Sequence, residues 1–494
     1  MSFAKLNIKS KAYFTQIEMR SQEDTAIVDH RKCRYEGKRG NWSSKREFIL
    51  SCIGYAVGLG NIWRFPYLCY RSGGGAFLIP YLLMLFFCGI PLFFMEIIIG
   101  QFSSIGCIGV FRMAPIFKGA GYAIVVINII CTVYYSVIIA YPLIFLKHII
   151  FETKLPWDSC GNSWNTDNCI EVNQVIHQNF TEHDDLRTPA DEFFHFEILR
   201  ISNGIEELGT MVWPLFWSLV VAWILVYVCI INGIKTVGKV VYFTATFPYI
   251  ILFVLFVRGV TLPGALKGII FYIKPEWFRL LDLKVWADAA VQIFFSLGPG
   301  WGGIVNMASF NSFRNNAKGD AILIPIVNCS TSIFAGFVVF SVLGYLSEQT
   351  GISVATVATS GPGLAFVVYP QAIAMLPLSS VWAALFFLML FLLGLDTVFI
   401  FFTTIVFIRT VRYNNIIYPS WAVALGWLSC AVSLICIPLY MLKKVLFSSG
   451  KVKDNFYNCL KADFWLPVQE EERSAYEDFK RYRKINAELK SMRK

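Results

Sequence analysis

The stretch Ser51–Pro66, SCIGYAVGLGNIWRFP, places an amide and a guanidinium inside an apolar run long enough to enter a bilayer. Gly54, Gly58 and Gly60 each weaken helical order, and Pro66 is expected to end the run. Two readings fit Asn61 and Arg64 in such a place. Small residues and an amide suit a close-packing helix. They equally suit a helix that unwinds at mid-membrane and offers backbone carbonyls and amides to ions. A second stretch, Phe294–Gly303 (FFSLGPGWGG), repeats the pattern and cannot remain helical through Gly298, Pro299 and Gly300. Two spans, each broken by glycine near the middle, point to a binding site built from discontinuous helices. The chain shows no nucleophile with a base, no metal-ligand cluster and no phosphate loop, so the expected chemistry is binding and not catalysis.

The elements that would position these breaks are membrane helices. Of 494 residues 56% are hydrophobic and only 15% charged, which suits a chain dissolved in lipid. The net charge of +10 sits in tails and short loops and reads as membrane-orienting charge, not as a nucleic-acid footprint. Apolar length places nine spans near 47–70, 75–99, 120–147, 211–231, 239–258, 286–309, 321–345, 381–408 and 418–442. The polar opening segment lacks a signal-peptide core, so the start is expected in the cytosol. Short basic loops holding Arg112 and Lys118, Lys235 and Lys239, and Arg314 and Lys318 are then cytoplasmic. The long loop 151–205 falls outside. There Cys160 and Cys169 suit a disulfide, with a metal pair as the alternative, and Asn179-Phe180-Thr181 is a glycosylation acceptor. The tail from Lys443 reads as a solvated or disordered charged segment.

Several stretches together resemble one family, the sodium- and chloride-coupled neurotransmitter and amino-acid transporters (neurotransmitter:sodium symporters). They are Arg39–Trp42 (RGNW), GYAVGLGNIWRFPY, Gly73–Tyr81 (GGGAFLIPY), Gly100–Phe102, Tyr134-Tyr135, Gln292–Ser296 (QIFFS), Ser360–Phe366 (SGPGLAF) and Gly394–Thr397 (GLDT). The look is nearest to glycine- and proline-type carriers. The resemblance implies an all-α polytopic membrane protein with an inverted-repeat transporter fold and broken first and sixth helices. It also implies Na+ and Cl− as coupled ions. One sodium would take the Ala56 carbonyl with the side chains of Asn61, Ser296 and Asn328. A second would take carbonyls of Gly54, Val57 and Leu393 with Asp396 and Thr397. All are the oxygen ligands that hard cations prefer. Asp396, inside LFFLMLFLLGLDTVFIFF, costs about 2.5–3.5 kcal/mol to insert, so its default reading is functional. Chloride would sit among Tyr81, Gln292, Ser296, Asn328 and Ser332. Gln292 with Ser296, and Asn328 with Ser332, share helix faces.

The resemblance also frames the substrate. Gly58 stands where monoamine carriers have aspartate, so the pocket should receive a carboxylate, resting near Gly60, the first sodium and the Tyr135 hydroxyl. Ala56, Phe295, Ser296 and Gly298 complete the lining, and Trp301 narrows it as in glycine carriers. A small neutral amino acid is expected, with a GABA-like substrate as alternative. Arg39, Trp42 and Arg64 are the expected gate residues.

The chain also departs from its family. After Phe399 the match stops and resumes near Tyr413, so the ninth and tenth spans and most of the eleventh seen in relatives are missing. Arg64 thereby loses its gating acid, Val411 stands where Arg39 would meet one, and Phe310 replaces a tyrosine. The resulting organisation is a cytoplasmic tail 1–45, a first five-helix repeat 46–258, a partial second repeat 259–408, a remnant 409–442 and a charged tail 443–494. A multi-pass protein of the plasma membrane is the family expectation. Intracellular retention, and a non-transporting form that associates with full-length relatives, are the alternatives that the gap raises.

Overall fold

The computed structural model describes residues 41–171, 187–202, 204, 207, 209–230, 234–357, 363–397, 412–413, 416–417, 420–446 and parts of 473–481. The chain divides into two units, Met1–Gly40 and Asn41–Lys494, and every described residue belongs to the second. The architecture is helical. The one sheet among the described residues is a two-residue antiparallel ladder pairing Arg412 with Ile417 and Tyr413 with Ile416.

Helix α1 (Lys45–Ala56) starts at Ser44, whose hydroxyl accepts from the Glu47 N–H at 3.3 Å, while the Glu47 carboxylate accepts from Ser43 N at 3.0 Å. This reciprocal cap fixes its first turn. The helix stops at Val57, and after a bend of 49° at this break the chain resumes as a π-helical turn, Gly60–Arg64, that runs straight into α2 (Phe65–Arg71). Beyond it come α3 (Leu78–Met84), α4 (Ile90–Ser103), α5 (Lys118–Phe151), α6 (Pro189–Glu192), α7 (Trp213–Ile230), α8 (Ile234–Thr244), α9 (Phe247–Val260) and α10 (Ala265–Ile273). The second half holds α11 (Leu283–Leu297), α12 (Gly303–Ala308), α13 (Ala317–Thr350), α14 (Val354–Val357), α15 (Tyr369–Ala374), α16 (Ser379–Thr397) and α17 (Ser420–Leu446).

Pro66 does not end the run as its residue type suggests. It lies in the first turn of α2, directly after the π turn, where Phe65 N–H reaches back five residues to Gly60 O. Pro91 and Pro370 follow π turns in the same way, after Ile90 N–H bonds Leu85 O and Tyr369 N–H bonds Leu364 O. A proline ring collides with the carbonyl four residues back and brings no N–H. A five-residue turn just ahead of it widens the helix where the ring must fit.

Among the described residues four helical segments are long and apolar enough to cross a membrane: Gly75–Ser103, Pro115–Phe151, Lys239–Val260 and Ala317–Thr350. The bent pair Lys45–Ala56 and Gly60–Arg71 makes a fifth. The expected spans 211–231 and 381–408 appear as shorter apolar helices, Trp213–Val228 and Ser379–Leu395, and 286–309 as the two halves α11 and α12. The count of nine therefore remains an expectation of the sequence pattern. Helix α17 packs on the start of α5, where a Cβ on Gly119 would stand 2.5 Å from Cys436 O and 2.7 Å from Ile437 Cα.

The loop after α5 is closed by the Cys160–Cys169 disulfide, which settles the choice between disulfide and metal pair. Asn179 lies outside the described residues. The buried Glu192 carboxylate organises this loop by accepting from Asn165 Nδ2 (3.0 Å), Thr166 N (2.9 Å) and the Thr166 hydroxyl. Ala190 N–H donates to Gln371 Oε1 at 3.2 Å, and Phe194 stacks on Phe366, so the loop is pinned to the short helix Leu364–Ala374 before α16.

Two further glycines set the closest helix crossing. A Cβ on Gly268 of α10 would stand 1.8 Å from Phe340 O of α13, and one on Gly344 would stand 2.5 Å from Gly264 O. Both obstacles are backbone and cannot swing aside. Gly268→Val is expected to destabilise the fold by about 1–3 kcal/mol or more through overpacking. Thermal melting of the detergent-solubilised chain, followed by size-exclusion chromatography, checks this.

Candidate functional site

The two breaks face each other and complete each other's hydrogen bonding. At the first, Gly58 N–H donates to Asn61 Oδ1 at 3.1 Å, and Gly60 O accepts from Gln292 Nε2 of α11 at 3.2 Å. At the second, Gly298, Gly300 and Gly302 all adopt positive φ (65°, 84° and 75°) that favours glycine. Tyr55 of α1 packs against Gly298 and Gly303, with its hydroxyl 3.5 Å from Gly298 O. Gly300 N–H donates to the Glu96 carboxylate, and Trp301 O accepts from Asn128 Nδ2 of α5 at 2.9 Å. Backbone groups released from a helix in lipid need such partners.

Between the breaks lies a buried polar cluster. Asn61 Nδ2 donates to Asn328 Oδ1 and to Ser332 Oγ, both at 2.8 Å. Ser296 Oγ lies 3.0 Å from Asn328 Oδ1 and 3.4 Å from Asn61 Oδ1. Tyr81 OH donates to Ser332 Oγ at 3.3 Å. All five side chains are 3% exposed or less, in a membrane-type interior where polar groups are costly unless paired. Four elements, the π turn Gly60–Arg64, α3, α11 and α13, thus bring together the expected set Asn61, Ser296, Asn328, Ser332, Tyr81 and Gln292. The oxygens of Asn61, Ser296 and Asn328 converge as a hard cation requires. The hydroxyls and amide N–H groups of Tyr81, Ser332, Asn61 and Asn328 are the donors that an anion requires. Gln292 Oε1 is buried without a partner among the described residues, and rotating this amide would turn its N–H2 toward that side.

The remaining expected residues fall around this cluster. Gly54, Ala56, Val57 and Gly58 are buried beside the first break. Gly394 of α16 approaches Leu59 and Ile139, which brings Leu393 near it, while the side chains of Asp396 and Thr397 lie outside those described. Tyr135 and Trp301 are buried. Phe295 lies against Gly60, where a Cβ would meet its ring at 2.8 Å.

Arg64 stands over the Phe295 ring at 4.2 Å from its centroid, a cation–π contact on the α2 side of the break. Beside it, Arg71 Nη2 of α2 and Asp288 Oδ2 of α11 form an ion pair at 2.6 Å that ties these two half-helices together. At the start of α1, Trp42 N donates to Phe310 O (3.2 Å) and its indole Nε1 to Met307 O (3.0 Å). Lys45 pairs with the buried Asp320 at 2.9 Å. Arg39 and Val411 lie outside the described residues.

Sequence reasoning missed Tyr55, Glu96, Asn128, Arg71 and Asp288. Glu96 carried a usable signal, an acid alone in IPLFFMEIIIG, as telling as Asp396 in its own run. Reversing Arg71 to Asp is expected to loosen α2 from α11 and raise labelling of a Phe295→Cys variant by a thiol reagent several-fold. Arg71→Asp combined with Asp288→Arg should restore protection.

The sequence profile of the sodium:neurotransmitter symporter family matches residues 39–408. The chain is 50% identical over 385 residues to the sodium- and chloride-dependent glycine transporter 1 of Xenopus laevis, covering 75% of this chain and 61% of that protein. It is 49% identical over 370 residues to the sodium- and chloride-dependent creatine transporter 1 of Bos taurus and of Homo sapiens, covering 73% of this chain and 58% of each. The chain spans about three fifths of the length of these curated relatives. With these matches, and with two broken helices meeting over a buried amide–hydroxyl cluster, the chain belongs to the sodium:neurotransmitter symporter family, a family of multi-pass membrane transporters and not of enzymes.

Proposed function

We propose that this protein carries out sodium- and chloride-coupled symport of a small neutral amino acid of the glycine or proline type. The observation that carries the reading is the buried network of Asn61, Ser296, Asn328, Ser332 and Tyr81 between two helix breaks. One sodium is held by Asn61, Ser296, Asn328 and the Ala56 carbonyl. A second is held by Asp396, Thr397 and carbonyls of Gly54, Val57 and Leu393. Chloride is held by Tyr81, Gln292, Ser296, Asn328 and Ser332. The ions supply charge at the site, and the residues of the chain do the orienting. Gly58 leaves room and no competing charge for a substrate carboxylate, which lies toward Gly60 and Tyr135. Trp301 limits the side chain, Phe295 and Arg64 close the outer path, and Trp42 closes the inner one with Arg39. In this reading α1 and α11 open two inverted repeats, 46–258 and a partial 259–408.

A second reading is a non-transporting form that associates with longer family members. The missing segment after Phe399, which in relatives supplies the acid facing Arg64, favours it. The Arg71–Asp288 pair and the Phe295 contact supply an outer closure that needs no such acid, and this favours transport.

Uptake of glycine or proline by vesicles containing the full chain should require sodium and fall when gluconate replaces chloride. Ser332 Oγ is met by the donors of Asn61 and Tyr81, so Ser332→Glu places a fixed carboxylate among them and should relieve the chloride requirement. Undiminished wild-type uptake without chloride refutes the anion assignment, and absence of sodium-driven uptake favours the second reading.

Substrate choice has its own test. Trp301→Phe should admit bulkier neutral amino acids, and Gly58→Asp should weaken carboxylate binding through like-charge repulsion. Competition binding across an amino-acid series measures both, and intact affinity in Gly58→Asp shows the proposed orientation to be wrong.

A further inference from the structure

Between α10 and α11 the chain exposes an apolar platform that the site does not use. Trp277 is 65% exposed, Phe278 82%, Leu281 77% and Leu283 83%, with Ile273 of α10 beside them. So many large apolar side chains in one short segment exceed the scattered exposure ordinary on a water-facing surface. The segment is not a loose loop. It contains a 3-10 turn, Trp277–Leu281, and the Trp286 indole donates to Leu280 O at 2.9 Å. Glu276 N–H bonds Gly73 O at 3.3 Å, and Gly74 pairs with Pro275. Asp282 caps α11 by accepting from Lys284 N at 2.9 Å.

The surroundings indicate what covers it. The turn Gly75–Phe77 under the platform leads directly into α3, and α11 packs along α3 from the platform downward. On α3 and the π turn after it, Leu82, Leu83, Phe86 and Phe87 are exposed in a membrane-spanning segment and therefore face lipid. The platform crowns that lipid-facing edge. Its charges are mixed, with Lys274, Arg279 and Lys284 against Glu276 and Asp282. An amphipathic aromatic flanked by Lys and Arg is the composition that settles at the boundary between headgroups and acyl chains.

We propose that the Trp277–Leu283 platform is an interfacial anchor seated in the phospholipid leaflet at the outer end of α11. Its partner is a lipid surface, with Trp277, Phe278, Leu281 and Leu283 below the headgroups and Lys274, Arg279 and Lys284 at phosphate level. Because α11 carries Gln292 and Ser296, the anchor fixes the depth of the outer half of the second broken helix. The inference needs only a membrane-embedded chain and stands apart from the transport reading.

The test uses the unmodified full chain in dilute phosphatidylcholine vesicles that contain a phospholipid with a photoactivated diazirine near the glycerol. Adducts are mapped by mass spectrometry, with Leu82–Phe87 as the internal lipid-facing reference. A parallel sample receives a pulse of hydroxyl radicals, which oxidise water-exposed aromatic side chains. Lipid adducts on Trp277–Leu283 comparable to those on the reference, with little oxidation, are expected. Strong oxidation without adducts means that the platform stands in water and overturns the proposal. Protection from both reagents means that protein covers it, a second copy or another segment, and overturns it equally.

Discussion

In a bilayer no water is at hand to satisfy a backbone N–H or C=O that leaves its helix, and one left buried and unpaired costs about 1–3 kcal/mol even by protein-derived measures. The rest of the structure follows from that constraint at two places, Val57–Leu59 and Gly298–Gly302. The solution is reciprocal. Gln292, on the second broken helix, serves the carbonyl of Gly60 in the first, and Tyr55, on the first, faces the carbonyl of Gly298 in the second. Each break is tolerable because the other is present. Neighbouring helices add Glu96 and Asn128, so α4 and α5 are tied to the same centre.

This arrangement explains why the centre can be polar at all. Asn61, Ser296, Asn328 and Ser332 satisfy one another at 2.8–3.4 Å, so the network closes within protein. Its groups are amides and hydroxyls, whose dipoles can turn either an oxygen or an N–H toward the interior. A cluster of this kind can exchange a protein hydrogen bond for an ion contact without leaving a charge behind. Rigid packing around it keeps the exchange local. Trp42 and the Lys45–Asp320 pair hold one end, and Arg64 over Phe295 with Arg71–Asp288 holds the other.

What the sequence made legible was local. Glycine and proline announced both breaks, apolar length announced the helices, and Cys160 with Cys169 announced a bridge that exists. What it hid was the choice of partner. Asn128 and Trp301, or Tyr55 and Gly298, stand well over a hundred residues apart, and nothing in helical periodicity names one as the other's mate. The members of the amide–hydroxyl cluster became readable only through resemblance to a family, since each alone passes for an ordinary interhelical bond. Pro66 was misread for a different reason. Proline interrupts a regular helix, but the five-residue turn ahead of it is a property of the backbone that residue type does not announce.

That turn has an arithmetic meaning. A helix that bonds across five residues holds one residue more than the same length of α-helix needs. Removing a single residue from Gly60–Arg64 would let the ordinary bonding pattern close. Closing that pattern with all five residues kept would instead rotate every side chain on one flank by about 100° against the other, since 3.6 residues make a turn. Arg64 would leave the face of Phe295, and Asn61 would swing away from Asn328. The surplus residue therefore works as a vernier, one notch of phase between the half-helix that anchors the cluster and the half-helix that covers it. The same surplus sits before Pro91 and Pro370, so three segments of the bundle have their angular setting fixed by a count of residues as much as by what those residues are.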